Sequence, residues 1–598
     1  MCGLVGFSGS RNSVMIKKMN DSIIHRGPDD EAFLETQNFS VGFRRLAIID
    51  LHKNIYPVKT EDESVQVFLN GEIYNYQEIK RELIAAGHTF KTESDTEVIA
   101  HGYEEWGLNI IKKLRGMFVT VIYDVKEDVL IISRDRLGIK PLYYTEHDGR
   151  ILFSSEIKAI LNFPIDRSAD EHEVEKFLRY RVHDDSKNTF FKNIKRLMPG
   201  HNMILDNQGN FRIEKYWDPT FTTQFASSKS DAEYAQEFKE IFVNAIDLHL
   251  VGDVPVGVTL SGGLDSSGIT SIATALYKQK HSEQPFYAFS AVHPGETINE
   301  EEYIDEVVNF TGATSVKIIP EVDKFWEDFD NWLYYQEEPV ISGAPYAYYT
   351  VMREARKKVT VLLSGQGGDE LLAGYIPYFQ TYLNSAIANG KYLDGLREIF
   401  AGKDLYSKFF FDRLVQQFKN EARIDIHGIV NKVSENKVQF KSFENLNERL
   451  FEDVTKLTTP SLLRYEDKNS MANSLESRVP FFDHVVVEYI FNLPIDQKIK
   501  HGWNRFIYRN AVKGLIPEKN RPRRSKVGFT NPEWEWIERK RDKFIEIFES
   551  ESFKNRPFWD AQLALSEFKD ALDGKKKGDI MFFWRLFITE MWLRKFVD

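Results

Sequence analysis

From about residue 256 onward, short apolar runs alternate with helical stretches, which is the pattern of a parallel α/β sheet. The predicted strand Val256–Leu260 precedes a helix at Ser267–Lys278, and the predicted strand Val359–Leu363 precedes a helical stretch that starts at Glu370. The other predicted strands of this region are Phe286–Ala291 and Val316–Ile319. Because ligands bind at the carboxyl ends of parallel strands, the loops after these strands are the first places to look for function.

Two of the predicted strands run into glycine-rich loops that precede helices. The first loop reads Leu260-Ser261-Gly262-Gly263-Leu264-Asp265-Ser266-Ser267, and the second reads Leu363-Ser364-Gly365-Gln366-Gly367-Gly368-Asp369-Glu370. Glycines let backbone N–H groups approach an anion, and a helix N-terminus adds its positive dipole end. The serines of the first loop can donate to phosphate oxygens, while Asp265 and Asp369 can converge on one Mg²⁺–pyrophosphate unit. Either loop alone could be a turn with an N-capping aspartate, but the pair predicts a metal–pyrophosphate site that is not a Walker A loop.

The first 213 residues show a different pattern, in which short β-type runs are mixed with amphipathic helices. The predicted helices are Tyr76–Ala86 and Thr96–Trp106. The predicted strands include Val41–Asp50, Val65–Leu69, Met117–Tyr123, Val129–Ser133 and Ile151–Ser154. This pattern favours an α+β domain over residues 1–215. We predict a polar linker at 216–235 and an α/β domain at 236–598, whose part from Leu462 onward is rich in helices.

Composition excludes several classes of function. A chain of 598 residues is too long for a single core, and its 42% hydrophobic content is that of a folded protein. The formal net charge of −12 argues against general nucleic-acid binding. No apolar run reaches the roughly 18 residues of a membrane span, and the first residues do not resemble a signal peptide. A single cysteine suits a reducing compartment, so we expect a cytoplasmic protein without nucleic-acid or membrane partners.

The single cysteine is Cys2, which becomes the N-terminal residue once Met1 is removed. In that position its own α-amine, with an ordinary pKa of about 8, can accept the proton of the thiol. Cys2 can equally be a small apolar residue that starts a buried strand over Leu4–Phe7. Its immediate neighbours do not decide between these two interpretations.

The two glycine-rich loops resemble those of the pyrophosphate-loop ATPase domain of glutamine-dependent asparagine synthetases. The motifs that carry this resemblance are Ser261–Ser266, Ser364–Glu370, Glu476–Asp483 and Arg524–Phe529. The resemblance implies that ATP activates a carboxylate as an acyl-adenylate, with adenine and ribose near Leu260 and Ala291. It also implies that Ser364 and Gly365 contribute to the AMP site and that Lys526 contacts pyrophosphate. The residues implied for ATP and pyrophosphate are Leu260, Ser261, Gly262, Gly263, Asp265, Ser266, Ser267, Ala291, Ser364, Gly365 and Lys526. Mg²⁺ on Asp265 and Asp369 is the one metal expected, because the sequence has no His and Cys spacing typical of a metal site.

The N-terminal region resembles the glutaminase domain of the same family, an N-terminal-nucleophile hydrolase with an αββα sandwich. The matching segments are Cys2-Gly3, His25–Asp29, Arg45–Asp50, Asn70–Asn75, Ser94–Glu97 and Arg134–Tyr143. The resemblance implies that Cys2 attacks the glutamine amide with its α-amine as the base, and that Asn70 and Gly71 form the oxyanion hole. It implies that Arg45 binds the α-carboxylate of glutamine and that Asp95, in preference to Glu72, binds the α-ammonium. The residues implied for glutamine are Arg45, Leu46, Ala47, Ile48, Ile49, Asn70, Gly71, Glu72 and Asp95.

Each of these polar residues also has an ordinary structural interpretation. Asn70-Gly71 is a frequent hairpin turn, Arg45 can form a surface ion pair, and His25 suits a shaped loop better than catalysis. The joint occurrence of every part that a thiol amidase needs favours the glutaminase. Ammonia from such a site would have to reach the second domain, and we expect an apolar channel at the interface of the two domains.

One residue departs from the family pattern, since asparagine synthetases commonly have Glu where this chain has Gln366. An amide cannot act as a general base at neutral pH. The leading hypothesis is therefore a glutamine-hydrolysing asparagine synthetase, and the alternative is a related amidotransferase that acts on another carboxylate, such as a uronic acid or a biosynthetic intermediate. A β-lactam-forming synthetase would be expected to lack the N-terminal nucleophile, and a catalytically silent scaffold would not need intact site residues. A homodimer is compatible with the sequence.

Overall fold

The computed structural model describes residues 2–51, 56–403, 422–436, 438, 441–524 and 532–598. Within these residues the N-terminal domain contains two six-stranded antiparallel sheets. Its strands are β1 (Gly3–Ser8), β2 (Asp30–Glu35), β3 (Phe39–Arg45), β4 (Val58–Lys59), β5 (Val65–Ile73), β6 (Gly116–Asp124), β7 (Val129–Arg134), β8 (Tyr143–His147), β9 (Arg150–Ser154), β10 (Lys195–Arg196), β11 (His201–Leu205) and β12 (Phe211–Lys215). The strand order is β10-β8-β9-β1-β3-β2 in one sheet and β12-β11-β7-β6-β5-β4 in the other.

The two sheets pack face to face, and helices cover their outer faces. The helices of this domain are α1 (Ser13–Asp21), α2 (Tyr76–Ala86), α3 (Glu97–Trp106), α4 (Asn109–Lys113), α5 (Ile157–Ile160) and α6 (Glu171–Tyr180). Apolar side chains of both sheets form the inner core, which includes Leu4, Phe43, Phe68 and Val121. A separate cluster joins the second sheet to α2, α3 and α4, whereas α1 and α5 pack on the first sheet. The result is the helix–sheet–sheet–helix order that the family resemblance implies.

Most of the predicted elements of this domain are confirmed, while one strand bound and one alternative interpretation are wrong. The helix predicted at Tyr76–Ala86 has those bounds in the structure. The strand predicted at Val41–Asp50 ends at Arg45, so the residues after it form a loop. Asn70-Gly71 is not a hairpin turn, because both residues lie inside β5 and pair with β6.

The second domain contains a five-stranded parallel sheet with the order β15-β14-β13-β16-β17 within the described residues. The strands of this domain are β13 (Val256–Thr259), β14 (Tyr287–Ala291), β15 (Thr314–Ile318), β16 (Val361–Leu363), β17 (Glu476–Arg478), β18 (Ile499–Lys500) and β19 (Trp503–Asn504). The parallel sheet predicted from the alternation of strands and helices is confirmed. β13 and β16 are direct neighbours, so the two glycine-rich loops leave the same edge of the sheet side by side.

Helices surround this sheet and form most of the remaining chain. They are α7 (Asp231–His249), α8 (Leu264–Lys280), α9 (Glu301–Thr311), α10 (Val322–Gln336), α11 (Ala344–Ala355), α12 (Gly368–Leu371), α13 (Tyr378–Ala388), α14 (Tyr392–Ala401), α15 (Ile426–Ile429), α16 (Leu446–Glu452), α17 (Thr459–Met471), α18 (His484–Phe491), α19 (Phe506–Ala511), α20 (Glu533–Arg539), α21 (Arg541–Glu549), α22 (Glu551–Lys554), α23 (Ala561–Leu572) and α24 (Phe582–Trp592). α7 begins inside the predicted linker, because Ser230 and Glu233 form a capping box at its N-terminus. In the described part of the chain, no helix has both the length and the apolar character needed to cross a bilayer.

Buried ion pairs connect the two domains. Arg26 is fully buried and donates to Asp467 of α17 at 2.8 Å and to Glu156 of its own domain at 2.9 Å. Further pairs across the interface are Arg115–Asp483, Arg464–Asp184 and Arg196–Glu338. Because the loss of one partner would leave a buried charge without compensation, these pairs favour one relative placement of the domains.

Candidate active sites

Cys2 lies at the start of β1, at one edge of the interface between the two sheets. Its side chain is buried, with 7% exposure, so the packing interpretation of this residue and the catalytic one are compatible. The backbone nitrogen of Cys2 donates to Asn70 Oδ1 at 3.1 Å, which places the residue that would become N-terminal directly against β5. Burial raises the pKa of the thiol, while a hydrogen bond from the Leu46 backbone N–H lowers it. A base next to the sulfur is therefore needed to form the thiolate near neutral pH.

The two residues predicted for the oxyanion hole lie together in the middle of β5. Asn70 is fully buried, and its Nδ2 donates one hydrogen to Ser155 Oγ at 3.2 Å. An amide nitrogen has two hydrogens, so the second one remains for a ligand. Gly71 has φ +144, and a Cβ at this position would lie 1.9 Å from the carbonyl oxygen of Met117. Only glycine allows β5 and β6 to approach this closely beside Cys2.

Gly71→Ala should therefore destabilise the N-terminal domain by about 3 kcal/mol, because the new methyl group would collide with backbone that cannot move independently. The measurement is urea unfolding followed by circular dichroism. Gly87→Ala is the matched control, since Gly87 also has positive φ, at +106, but nothing lies within 4 Å of its Cβ position. The control should lose only about 1 kcal/mol. Equal losses in the two variants would show that backbone conformation alone, and not the close approach to Met117, requires glycine at position 71.

Arg45 and the loop after it lie beside the Cys2 thiol, which the Leu46 backbone N–H contacts. Arg45 is buried, with 4% exposure, so the interpretation as a surface ion pair is wrong. Its Nη2 donates to the backbone oxygens of Ile49 at 3.3 Å and of Asp50 at 2.8 Å, and its guanidinium lies over the ring of Tyr56. The loop is also tied to the second domain, because the Asp253 backbone N–H donates to Ile48 O at 2.9 Å. Of the residues predicted for glutamine, Leu46 and Ile48 are buried and Ala47 and Ile49 are half-buried.

The two candidate partners for an α-ammonium group are both buried carboxyls. Asp95 accepts a hydrogen bond from the Ile73 backbone N–H at 2.8 Å. Burial raises the pKa of Asp95 to about 6 and raises the pKa of Glu72 well above its usual range. Glu72 faces Arg478 of the second domain at 3.7 Å. Asp95 is thus the better candidate for the substrate cation, because Glu72 already has a cationic partner.

In the second domain, the first glycine-rich loop is closed by its own serines. The Ser261 backbone N–H and Ser261 Oγ lie 3.2 and 3.0 Å from Ser266 Oγ, respectively. Ser267 is fully buried, and its Oγ faces Asn520 Nδ2 at 3.5 Å. Leu260 and Ala291 lie at the adjacent ends of β13 and β14, and Leu260 N donates to Phe289 O at 2.8 Å. Gly262 and Gly263 lie between these groups, at the N-terminus of α8.

The two loops meet at their aspartates, as the sequence predicts. Arg505 Nη1 forms an ion pair with Asp265 Oδ2 and another with Asp369 Oδ1, each at 2.7 Å. A Cβ at Gly368 would lie 2.5 Å from Asp265 Cγ, so the second loop touches the first aspartate directly. Neither aspartate is the N-cap residue of its helix, because Gly263 and Gly367 hold those positions. N-capping therefore does not explain the two carboxylates.

The donor set of this pair suits Mg²⁺, which binds carboxylate oxygens. Both side chains are buried, with 5% exposure for Asp265 and 2% for Asp369. Among the described residues, no hydrogen-bond donor contacts the buried Asp265 Oδ1. That oxygen is the one through which Asp265 can bind a cation while its other oxygen stays on Arg505.

The second loop also carries Ser364 and the atypical Gln366. Ser364 is fully buried, and its Oγ accepts a hydrogen bond from the Tyr348 hydroxyl at 2.9 Å. Gln366 is half-buried, and its backbone N–H faces Ser364 Oγ at 3.4 Å. A Cβ at Gly365 would lie 3.1 Å from Ser266 N, so the two loops are in contact here as well. The predicted pyrophosphate residue Lys526 lies outside the described residues.

Three functional candidates have no signal in the sequence that singles them out. Arg505 bridges the two aspartates from a left-handed backbone conformation with φ +51, which is uncommon for residues with side chains. Arg478 lies in the Glu476–Asp483 motif, which does not itself indicate a role for it; it pairs with Glu476 at 2.6 Å and faces Glu72 of the other domain. Glu466 contacts Ser364 and Tyr348. Apart from the Arg478–Glu476 pair, the contacts named here join residues that are far apart in the sequence.

A histidine cluster lies in the helical layer of the N-terminal domain, although the sequence shows no spacing typical of a metal site. Ligand atoms of His88, His101 and Glu104 lie within 4.8 Å of one another. Glu104 is exposed, and exposed acidic groups commonly gather in this way without a metal. The cluster therefore does not extend the active sites described above.

Family models match both halves of the chain. A glutamine amidotransferase domain model matches residues 1–217, and an asparagine synthase model matches residues 237–594. The chain belongs to the asparagine synthase family. It is thus an asparagine synthetase-like, glutamine-dependent amidotransferase of a family that uses ATP.

Individual relatives match this chain in sequence over most of their length, but they carry different names. Asparagine synthetase (glutamine-hydrolysing) 1 of Bacillus subtilis strain 168 is 29% identical over 583 residues, which cover 92% of this chain and 90% of the relative. Asparagine synthetase (glutamine-hydrolysing) 3 of the same organism is 29% identical over 544 residues, which cover 87% and 85% of the two chains. Amidase chry2 of Gibberella zeae is 26% identical over 647 residues, which cover 96% and 95%.

Proposed function

We propose that this protein converts aspartate to asparagine, with glutamine as the nitrogen donor and ATP cleaved to AMP and pyrophosphate. The observation that carries the proposal is that Arg505 holds Asp265 and Asp369 together at the edge of the parallel sheet, while the same chain carries the Cys2 pocket. A glutaminase alone would have no need of the second site. A nucleotide-binding scaffold would have no need of the first.

In the first half-reaction, the Cys2 thiolate attacks the side-chain amide of glutamine and forms a γ-glutamyl thioester. The Cys2 α-amine, held by Asn70 Oδ1, takes the proton of the thiol and passes it to the departing ammonia. The free hydrogen of Asn70 Nδ2 and the Gly71 N–H stabilise the oxyanion. Arg45 binds the α-carboxylate and Asp95 the α-ammonium, and water then releases glutamate.

In the second half-reaction, a substrate carboxylate attacks the α-phosphorus of ATP, and pyrophosphate leaves. The backbone N–H groups of the first loop and the hydroxyls of Ser261 and Ser266 hold phosphate oxygens. Asp265 and Asp369 would hold Mg²⁺, which supplies positive charge to the phosphates when bound. Arg505 orients the two carboxylates, and Lys526 is assigned to pyrophosphate by family resemblance alone.

Ammonia has to cross between the sites without being protonated by bulk water. A cavity lies at the interface of the two domains, and much of its lining is apolar. Leu137, Ile139 and Leu142 line it from the N-terminal domain, and Pro460 and Leu463 line it from the second domain. Charged side chains such as Asp467 and Lys468 also line this cavity, so only its apolar part supports passage of neutral ammonia through this interface.

A second candidate is amidation of a different carboxylate by the same chemistry. Gln366 favours this second candidate, because asparagine synthetases commonly have a carboxylate at this place. In this chain Gln366 lies beside Ser364 of the predicted AMP site. The relative named as an amidase also shows that proteins of similar length and sequence bear other names. The two candidates share every residue of the glutaminase and differ only in the acceptor.

The deciding experiment incubates the full-length protein with glutamine, ATP, Mg²⁺ and aspartate and measures asparagine, AMP and pyrophosphate. We expect the three products in equal amounts. Omission of aspartate is the control and should abolish AMP formation. Production of glutamate without asparagine at saturating aspartate would contradict the first candidate and favour the second.

A further inference from the structure

The amide-forming step needs a group that accepts a proton, and Gln366 cannot be that group. Four buried carboxyls of the described residues lie on or behind the glycine-rich loops: Asp265, Asp369, Glu370 and Glu466. Asp265 and Asp369 are held by Arg505, and Glu370 accepts a hydrogen bond from the Tyr375 hydroxyl. Glu466 is the one that contacts Ser364, the residue next to Gly365 and Gln366 in the predicted AMP site.

Glu466 lies on α17, directly behind the second loop, with 3% exposure. Its Oε2 accepts from Ser364 Oγ at 3.4 Å, and its Oε1 accepts from the Tyr348 hydroxyl at 3.0 Å. The Ser477 hydroxyl of β17 donates to the same Oε1. The Tyr348 hydroxyl also lies 2.9 Å from Ser364 Oγ, and its single hydrogen can serve Ser364 or Glu466 but not both at once. Ser364 Oγ can donate its own hydrogen to Glu466 Oε2.

The electrostatic surroundings make this carboxyl able to change its protonation near neutral pH. Burial raises the pKa of Glu466 to about 7, against the hydrogen bonds from Ser477, Tyr348 and Ser364 and the charge of Lys140. Lys140 approaches from the N-terminal domain, and Tyr348 stays protonated because burial raises its pKa well above the usual range. No Lys or Arg in the described part of the chain forms an ion pair with Glu466 closer than 4 Å, whereas Arg505 forms one with each aspartate. Glu466 is therefore free to take up a proton.

We propose that Glu466, reached through the Ser364 hydroxyl, accepts the proton of the amide-forming step in place of a carboxylate at position 366. This inference rests on the proposed acyl-adenylate chemistry and deepens it. The nitrogen of ammonia bonds to the acyl carbon, and the bond from that carbon to the AMP oxygen breaks with its electron pair on AMP. The nitrogen gives one proton to Ser364 Oγ as the Ser364 hydroxyl proton moves to the Glu466 carboxylate. Glu466 later returns that proton to solvent, so the step is balanced.

The test compares Glu466→Gln with the unmodified protein, using ammonium chloride, aspartate and MgATP. The rate of asparagine formation, divided by the concentration of unprotonated ammonia, should fall about 10²-fold in Glu466→Gln. Pyrophosphate–ATP exchange with aspartate should change less than about twofold, because adenylation precedes the step in which Glu466 acts. Equal losses of exchange and amide formation, or no loss of either, would overturn the proposal.

The pH dependence separates proton transfer from a structural role. Because the carboxyl is protonated below its raised pKa, the unmodified rate per free ammonia should fall about tenfold per pH unit below about pH 7 and be level above it. The decrease of the rate below about pH 7 is the acidic limb of the pH profile. Glu466→Gln should lose this acidic limb, and Glu466→Asp should keep it. Gln366→Glu in the Glu466→Gln background should restore much of the rate. Glu370→Gln is the matched buried-carboxyl control and should keep the acidic limb; if it instead removes the limb, Glu370 is the acceptor and the proposal fails.

A measurement without any carboxylate substrate tests the titration of Glu466 separately from the proposed function. Infrared difference spectra of the full-length protein should show a protonated carboxyl band that titrates with a midpoint near pH 7 and is absent in Glu466→Gln. The band can be present while aspartate supports neither pyrophosphate–ATP exchange nor asparagine formation. In that case aspartate is not the substrate that receives the nitrogen, and the titration of Glu466 is unaffected. If Glu466 remains ionised well below pH 7, the proposal for Glu466 is overturned whatever the acceptor is. Thermal melting at alkaline pH should show that Glu466→Gln folds, because it removes a buried charge.

Discussion

Cys2→Ala should lower glutamine-dependent amide formation by on the order of 10⁴-fold and leave ammonium-dependent formation nearly unchanged. In the proposed mechanism, the variant removes only the sulfur that attacks glutamine, whereas the second site can use ammonia from any source. The backbone nitrogen that donates to Asn70 Oδ1 is still present in the variant, so the start of β1 keeps its contact with β5. The measurement is asparagine formation with saturating glutamine and, separately, with saturating ammonium chloride.

The single thiol offers a second readout of the same prediction. Cys2 is the only cysteine of the 598 residues, so a thiol reagent can modify one site at most. Alkylation to one equivalent should abolish glutaminase activity, and excess glutamine should slow the alkylation. Cys2→Ala should take up no reagent. If ammonium-dependent synthesis also vanished in a folded Cys2→Ala protein, the division of labour between the domains would be wrong.

The sequence predicts those parts of the two sites that lie in short contiguous segments. Asp265 and Asp369 are recognisable because each follows an apolar strand and a run of glycines, and neighbouring parallel strands must end at the same edge. Arg505 is not recognisable in this way, since it reaches both aspartates from a turn at β19, more than 100 residues after the second loop. Glu466 is hidden for the same reason, because its contact with Ser364 joins residues that are 102 positions apart.

Asn70-Gly71 shows why a local signal leaves two interpretations open until the fold is known. The dipeptide is typical of a two-residue hairpin turn, and apolar residues precede it. In the structure the strand continues through it to Ile73, and β6 follows only after α2, α3 and α4. Gly71 is needed there for its contact with Met117, which no local pattern reveals. Long-range packing therefore decides what the glycine does.

The domain interface is the largest part of the structure that the sequence does not indicate. Arg26 belongs to a recognised segment, yet its partner Asp467 is 441 residues away. Arg478 likewise joins a strand of the parallel sheet to Glu72, one of the residues predicted to bind glutamine. These contacts link the two domains through buried charges, and charges are placed by the tertiary fold rather than by periodicity.

Asp369→Asn should reduce pyrophosphate–ATP exchange by roughly 10²–10³-fold, because it removes one of two carboxylates that Arg505 holds together and that suit Mg²⁺. Asparagine is nearly the same size as aspartate, so the second loop keeps its packing against Asp265. The lost charge should also raise the Mg²⁺ concentration needed for half-maximal exchange, which is a readout of cation binding independent of the maximal rate. Asp305→Asn is the matched control, since Asp305 is a carboxylate of the same domain whose side chain is 46% exposed and pairs with Lys317.

The control should change exchange and its Mg²⁺ dependence by less than about twofold, because exposed ion pairs contribute little. Asp265→Asn should resemble Asp369→Asn, and the double variant should lose little more than either single variant if the two carboxylates act on one cation. Multiplicative losses in the double variant would instead indicate two independent roles. In that case the shared contact with Arg505 would serve to align the loops, and the cation would be bound elsewhere.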